Sequence, residues 1–398
     1  MKVLVIGSGI SGVMAAYFLA RDGHEVTIVE QERHAAMKTS YANGGQLSVS
    51  NSETWNTWSN VYRGIKWLFK KDAPLLIRMK PEWAKIKWLA HFMYHTIKGS
   101  YKPATIRSIE LGLESRKLIQ EIIEREGIDF NYSQCGLLHF YKDEKYFQKA
   151  VDATELYESN GCEWRQKTEA EILDIESSLQ FMKGKLLGGV WTESDSSGDI
   201  HKFCTELVKV MQSKYNVFVT YSLTVEFDKF PFDEYDTVVV SAGVGSTKLA
   251  KSLGDTINVY PVKGYSITIN NVDAEHLPKA TLLDDQAKIV TSTLGNLFRV
   301  AGTAELTGEN YDIPRDRIQP LLNWVHDNFP QIDTSDYSMW TCLRPMTPNM
   351  LPIVKQSERN TKVFYHTGHG HLGWTYSAAT AVELKDLIYS VQTKNNLV

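Results

Sequence analysis

The sequence predicts an α/β (α+β) fold, and three observations carry that prediction. An apolar strand, Lys2 to Ile6, runs straight into Gly7-x-Gly9-x-x-Gly12. Two later segments, Tyr235–Gly245 and Val363–Thr375, each pair an apolar strand with a turn of small residues. The middle of the chain holds further strand candidates rich in β-branched and aromatic residues: Cys135–Tyr141, Leu187–Glu193, Asn258–Ile269, Ala287–Thr293 and Leu297–Ala304. The expected architecture is a Rossmann-like, glutathione-reductase-type ββα domain interleaved with an antiparallel-sheet domain. A length of 398 residues is too great for one ordinary core and supports two domains.

The first element sets out a complete half-site. Gly7 permits a tight turn, Gly9 lets a pyrophosphate approach the backbone, and Gly12 lets the following helix pack close to the strand. That helix is expected from Val13 to about Asp22, stopped by Gly23 as a C′ glycine. Its N-terminus offers free N–H groups to phosphate. A second strand, Glu25–Val29, ends in Glu30, whose carboxylate can accept from both ribose hydroxyls and disfavours a 2′-phosphate. Ile6, Ile10, Ser11 and Gln31 flank these positions and are expected at the same site. Strand, glycines, helix, strand and acid follow in order within about thirty residues, the context the motif requires.

The next segment favours FAD over NAD. Residues 34–50 form a small polar stretch rich in amide and hydroxyl groups, suited to wrap a ribityl chain and pyrophosphate. Thr39, Ser40, Asn43, Gly44, Gly45, Gln46 and Leu47 are its candidate contacts, although composition alone also fits a solvated loop. Val225 and the strand end Ser241-Ala242-Gly243 extend the set; small residues there let the backbone pass beside a ligand. Near the C-terminus, Gly370-His371-Leu372-Gly373-Trp374-Thr375 joins a strand to a helix and makes a second anion-friendly helix start. Facing a flavin, it would stabilise negative charge developing on reduction. His369 and His371 each fit a structural histidine as well as a site residue. The cofactor expected is noncovalent FAD.

Composition bounds the remainder. Hydrophobic residues at 43% and charged residues at 23% are ordinary for a soluble globular enzyme, and a net charge of −4 gives no pull toward nucleic acid. Cys135, Cys162, Cys204 and Cys342 lack CxxC spacing, so they read as reduced thiols in a cytoplasmic protein, with no metal site. Val3–Ile6 is too short for a signal peptide, and no apolar run approaches the ~20 residues of a spanning helix. Residues 61–103 differ from the rest. Arg63, Lys66, Lys70, Lys71, Arg78, Lys80, Lys85, Lys87, Lys98 and Lys102 face only Asp72 and Glu82, with Trp67, Phe69, Trp83, Trp88, Phe92 and Tyr94 interleaved. This suits peripheral contact with an anionic membrane surface. It suits equally a helical lid or dimer surface whose aromatics pack inward.

These motifs resemble the glycine/D-amino acid oxidase superfamily of FAD enzymes, and within it the bacterial D-amino acid dehydrogenase small-subunit group. The resemblance spans nearly the whole chain. It rests on Thr39-Ser40-Tyr41-Ala42-Asn43-Gly44-Gly45-Gln46, Ile65-Lys66-Trp67-Leu68-Phe69 and Asp72-Ala73-Pro74-Leu75. It continues through Val259-Tyr260-Pro261-Val262-Lys263-Gly264-Tyr265-Ser266, Leu343-Arg344-Pro345-Met346-Thr347-Pro348 and Thr367-Gly368-His369-Gly370. The chain departs from the family at Asn349-Met350-Leu351 and at His371, where the family has Thr.

The resemblance implies an FAD domain from residues 1–60, 142–182, 197–256 and 347–398, and a substrate domain from 61–141, 183–196 and 257–346. It implies oxidative deamination of a small amino acid, expected to be of D configuration, to an imino acid, then a 2-oxo acid and ammonia, by hydride transfer from Cα to flavin N5. Arg344 would anchor the substrate carboxylate, because a guanidinium offers a planar two-pronged fork. Tyr265 would assist there or serve as a core aromatic, and His369 would lie at the site. The electron acceptor is open between a membrane quinone and oxygen, with the enzyme cytoplasmic or peripheral on the inner face of the plasma membrane. An oxygen-using glycine, sarcosine or D-proline type oxidase, and a non-catalytic FAD-fold module, are the alternatives.

Overall fold

The computed structural model describes residues 1–67, 75–77 and 82–395. Lys2–Ile6 lies at the heart of a six-stranded sheet ordered Ile353–Gln356, Val363–Thr367, Thr237–Val240, Lys2–Ile6, Glu25–Val29 and Val217–Thr220. Every pairing is parallel except the first, where Ile353–Gln356 runs antiparallel to its neighbour. Side chains alternate across the sheet. Val3 and Val5 face a core shared with helices Ile10–Arg21, Ile200–Lys214 and Gly373–Asn395, while Leu4 and Ile6 face Val240, Leu249 and Ile257. Burial on both faces explains the near-continuous apolar character of these strands. The first helix begins at Ile10, earlier than the pattern suggests, and Gly23 takes a left-handed φ of 88° just past its end.

The second sheet has nine strands. Strand Tyr260–Ile269 is buried along its whole length and lies antiparallel between Leu297–Leu306 and the edge strand Tyr337–Met346. Two junctions are parallel: Thr281–Asp284 with Leu137–Tyr141, and Leu297–Leu306 with the short strand Leu75–Ile77. Helix Arg315–Asn328 covers one face through Ile318, Leu321 and Val325. The candidate strands form close to their expected bounds, as Leu137–Tyr141, Gly188–Thr192, Tyr260–Ile269, Ile289–Leu294 and Leu297–Leu306.

Strand Arg165–Lys167, within 142–182, pairs with Gly188–Thr192 in the second sheet. Residues 197–256 and 347–398 contribute strands to the parallel sheet. We propose the domain boundaries on this sheet membership.

Helices Trp58–Trp67 and Trp83–Ile97 roof one end of the second sheet. Trp88 is buried against Tyr260, Val262, Leu306 and Met346, and its Nε1 donates to the Met346 carbonyl at 2.8 Å. Lys85 is buried too, so it is not part of a solvated basic face. The outer side carries Trp58, Tyr62, Trp83, Ile86, Tyr94 and Ile97, all exposed, with Lys66, Lys87, Lys98 and Lys102 exposed beside them. Leu68, Phe69, Lys70, Lys71, Asp72, Ala73, Pro74, Arg78 and Lys80, with the Trp67 side chain, lie outside the described residues. Among the described residues no helix is long and apolar enough to cross a membrane.

Candidate active site

The parallel strands all point their carboxyl ends at one cavity of about 1120 Å³, which continues between the two sheets to the roof helices. This is where open α/β sheets bind ligands. Ile6, Gly7, Gly9, Ile10 and Ser11 line its first arm, with Glu30 and Gln31 beyond the second strand and Val225 nearby. Gly9 caps the first helix without a side-chain hydrogen bond, and the Ile10 N–H donates to Ser40 Oγ at 3.1 Å. Glu30 is 8% exposed and held in place by Ser8 N, Ser8 Oγ and Glu32 N at 2.7, 2.7 and 2.9 Å.

Thr39, Ser40, Asn43, Gly44 and Gln46 line the next stretch, facing Ser241, Ala242 and Gly243. Several polar side chains there are committed to the protein. Thr39 Oγ1 donates to the Leu343 carbonyl at 2.8 Å, Asn43 Oδ1 accepts from Gly45 N at 2.9 Å, and Gln46 Nε2 donates to Leu282 O and Thr291 O, each at 3.2 Å. Their first work is to join the two sheets. Gly370, His371, Leu372, Gly373 and Trp374 close the far wall.

Four expected contacts do not line the cavity. A Cβ on Gly12 would stand 1.9 Å from the Gly7 carbonyl oxygen, so this glycine serves the strand–helix approach. Gly45 turns the chain, with its carbonyl accepting from Gly198 N at 2.9 Å. Leu47 belongs to the core, and Thr375 Oγ1 accepts from Ser48 N at 3.3 Å.

At the other end, Arg344 projects from strand Tyr337–Met346 into the cavity wall. Its Nη1 donates to the Thr303 carbonyl at 2.7 Å, and no carboxylate pairs with it among the described residues. Tyr265 contributes to the wall, but its hydroxyl donates to Glu305 at 3.0 Å, and Glu305 is in turn paired with Arg317 at 2.6 Å. That places the ring in the core beneath helix Arg315–Asn328 rather than presenting its hydroxyl proton to a ligand. His369 has both ring nitrogens occupied, Nδ1 with Ser11 Oγ at 3.1 Å and Nε2 with Thr380 Oγ1 at 2.9 Å. Burial, then the neighbouring His366, push it well below the usual imidazole range. A neutral, fully engaged ring is a brace between the first helix and the C-terminal helix. His371 stacks on Trp55 with ring centroids 4.9 Å apart. Burial first, then Arg344 and Lys288, bring it down to about 3.

A model of the family described as FAD dependent oxidoreductase, DAO, matches residues 2–387. The chain belongs to this family. It is 45% identical over 97% of its length to a D-amino acid dehydrogenase 3 of Mesorhizobium japonicum, of which it covers 97%. It is 35% identical over 98% of its length to a D-amino acid dehydrogenase of Dechloromonas aromatica, of which it covers 97%. Among solved structures, glycine oxidase from Geobacillus kaustophilus is similar with a TM-score of 0.75 at 19% identity, covering 98% of this chain and 95% of that one. L-proline dehydrogenase from P. horikoshii gives 0.72 at 13% identity, with 98% and 93% covered. The structural likenesses establish the shared fold.

The first arm fits FAD, the cofactor of this DAO-family chain. The Gly7–Gly12 approach leaves no room for side chains, Gly9 gives the helix start no side-chain cap of its own, and Ser241 Oγ is buried at the strand end with no partner. Glu30 Oε1 accepts from Glu32 N and keeps a lone pair for a ribose hydroxyl.

The cavity also holds groups that sequence reasoning missed. Lys288 lines it with a side chain 41% exposed and pairs with Asp285 at 3.1 Å. Burial opposes ionisation of Asp285, but Lys288, His139 and Tyr141 outweigh it and hold the carboxyl well below its usual range. In sequence Asp285 lies in a polar stretch and Lys288 in the candidate strand Ala287–Thr293, with no motif to mark either.

Proposed function

We propose that this chain is an FAD-dependent D-amino acid dehydrogenase that takes a small, largely apolar amino acid to its imino acid. The single observation that carries the substrate reading is Arg344: a guanidinium in the cavity wall, held by a carbonyl and lacking a carboxylate partner among the described residues. The names of the relatives supply the D configuration. Such a charge suits a substrate carboxylate, which it can grip with two parallel hydrogen bonds.

The chain's own residues orient and dry the substrate. Arg344 fixes the carboxylate. Val61, Ile65, Ile77, Leu89 and Phe92, at the roof end, offer an apolar bed for the side chain. Desolvation there disfavours an ammonium and so helps the substrate nitrogen lose the proton that blocks its lone pair. His369 and His371 stay neutral and add no charge of their own near the reaction. FAD, when bound, supplies the hydride acceptor. Water then adds to the released imino acid and gives the 2-oxo acid and ammonia.

The acceptor and the membrane belong to the same proposal. The exposed apolar residues of the two roof helices, set among exposed lysines, support adsorption to an anionic bilayer, where tryptophans sit at headgroup level. A lipid-soluble quinone is the acceptor that such a position favours. The deciding experiment is anaerobic: matched D- and L-amino acids are added to the flavoprotein and loss of flavin absorbance is followed. Bleaching by D-amino acids with apolar side chains, and slow peroxide formation in air, are expected. Rapid peroxide formation would make it an oxidase, and bleaching by L-amino acids alone would overturn the stereochemical reading.

A further inference from the structure

We propose that Gly264 and Thr303, facing residues of a β-bulge, are positioning residues that aim the Arg344 fork at the substrate carboxylate; this rests on the reading of Arg344 as the anchor. Strands Tyr260–Ile269 and Leu297–Leu306 pair in register from Ile269↔Phe298 to Tyr265↔Gly302, and then shift, with Lys263 opposite Glu305. Thr303 and Ala304 therefore share the place opposite Gly264. An extra residue in one strand bends it and re-aims nearby groups, and such bulges gather beside active sites.

Each side of the bulge does something only its own backbone permits. Thr303 adopts φ 60°, the left-handed region, which a β-branched residue strongly disfavours. Its hydroxyl is buried with no partner, so no side-chain bond holds it there. What this conformation provides is a carbonyl that accepts from Arg344 Nη1 at 2.7 Å. Opposite, a Cβ on Gly264 would stand 2.4 Å from Arg344 Nη2 and 2.5 Å from Cζ. The guanidinium therefore lies flat on the glycine backbone, in space any other residue would fill. Strain kept at a cavity wall without local compensation points to function. The carbonyl takes one prong, the bare glycine takes the flat face, and the remaining N–H groups are left for a ligand.

The experiment compares Gly264→Ala, Thr303→Gly, Thr303→Ser and Arg344→Lys in the holoenzyme. It reads flavin content, melting temperature, steady-state kinetics, and the flavin spectral change caused by pyruvate as a carboxylate probe. Gly264→Ala should cost about a hundredfold in kcat/KM and at least tenfold in pyruvate affinity, with flavin content unchanged, because small misplacement of a reacting group is costly. Thr303→Gly relaxes the left-handed residue while keeping its carbonyl, so it should melt no lower than wild type. Arg344→Lys separates the two readings. If Arg344→Lys is damaging and Gly264→Ala is harmless, the positioning role is wrong and the anchor stands. If Arg344→Lys is itself harmless, the anchor reading fails. If Thr303→Gly is crippled while Thr303→Ser is active, the hydroxyl and not the backbone matters, and the proposal is overturned.

Discussion

The imidazole Nε2 of His369 lies 2.9 Å from Thr380 Oγ1, and the same hydroxyl lies 2.9 Å from His366 Nε2. One threonine thus sits between two buried histidine rings, with centroids 4.8 Å apart and planes at 89°. Burial disfavours a charge on either ring, which explains why both are held neutral. Burial brings His366 to about 3, and burial with His366 pushes His369 well below its normal value.

The first prediction follows from the sign of these shifts. A histidine depressed in the folded state binds its proton more readily when unfolded. Stability should be fully present above the unfolded value near 6.5 and fall as pH drops from there toward 3. For His366 alone the loss at pH 5 is about 2 kcal/mol. His369 and His371 add with the same sign. Melting curves between pH 7 and pH 5 measure it, and His366→Asn should flatten the dependence even if it lowers the plateau. A melting temperature that rises on acidification would contradict the neutral pair.

Arg344→Lys should abolish most amino-acid oxidation and leave flavin content unchanged. Lysine keeps the charge but loses the fork, so the substrate pivots, and about 1 Å of misplacement costs on the order of a hundredfold. Part of the loss should fall in kcat, since the contact sets transition-state geometry as well as binding. Steady-state kinetics decides this. Loss of flavin together with activity would make the residue structural.

Glu30→Ala should weaken FAD binding by about one to three kcal/mol through loss of charge-assisted hydrogen bonds. It also frees Ser8 N and Glu32 N, now bonded to that carboxylate, so Glu30→Gln is the cleaner comparison. Flavin fluorescence titration of the apoprotein reads both. The colour should leave the protein on acid precipitation; yellow precipitate would mean a covalent link.

Replacing Trp58, Trp83 and Ile97 by Ser should reduce co-sedimentation with anionic vesicles, while solution turnover with a soluble dye stays near wild type. All three are exposed, at 60%, 80% and 69%. High salt should release the wild-type protein, because the lysine contribution is screened. Equal retention on neutral and anionic vesicles would remove the electrostatic part of the proposal.

The dinucleotide arm was legible because its logic is local. Gly7, Gly9, Gly12 and Glu30 are fixed by a turn, a helix start and a strand end within one stretch of chain. The substrate end depends on register between distant strands, and register is not written in any one of them. Tyr265 read as a pocket residue because it sits in the Val259–Ser266 match. The bulge before it gives the hydroxyl to Glu305 instead. Asp285 and Lys288 acquire meaning only when their hairpin meets Tyr141 and His139 from another strand. Arg165–Lys167 is short, polar and largely exposed, so nothing in its pattern announces a strand of the second sheet.

The roof helix Trp83–Ile97 has a consequence for how this enzyme can be altered. Trp88 and Phe92 face inward and reach the cavity, while Trp83, Ile86 and Tyr94 face outward on the same few turns. A helix is a rigid rod on this scale, so a force applied to its outer surface is felt at its inner one. Selection for a different substrate side chain and selection for a different docking surface would therefore act on the same rod. Variants chosen for one property should drift in the other, and the two are best engineered together.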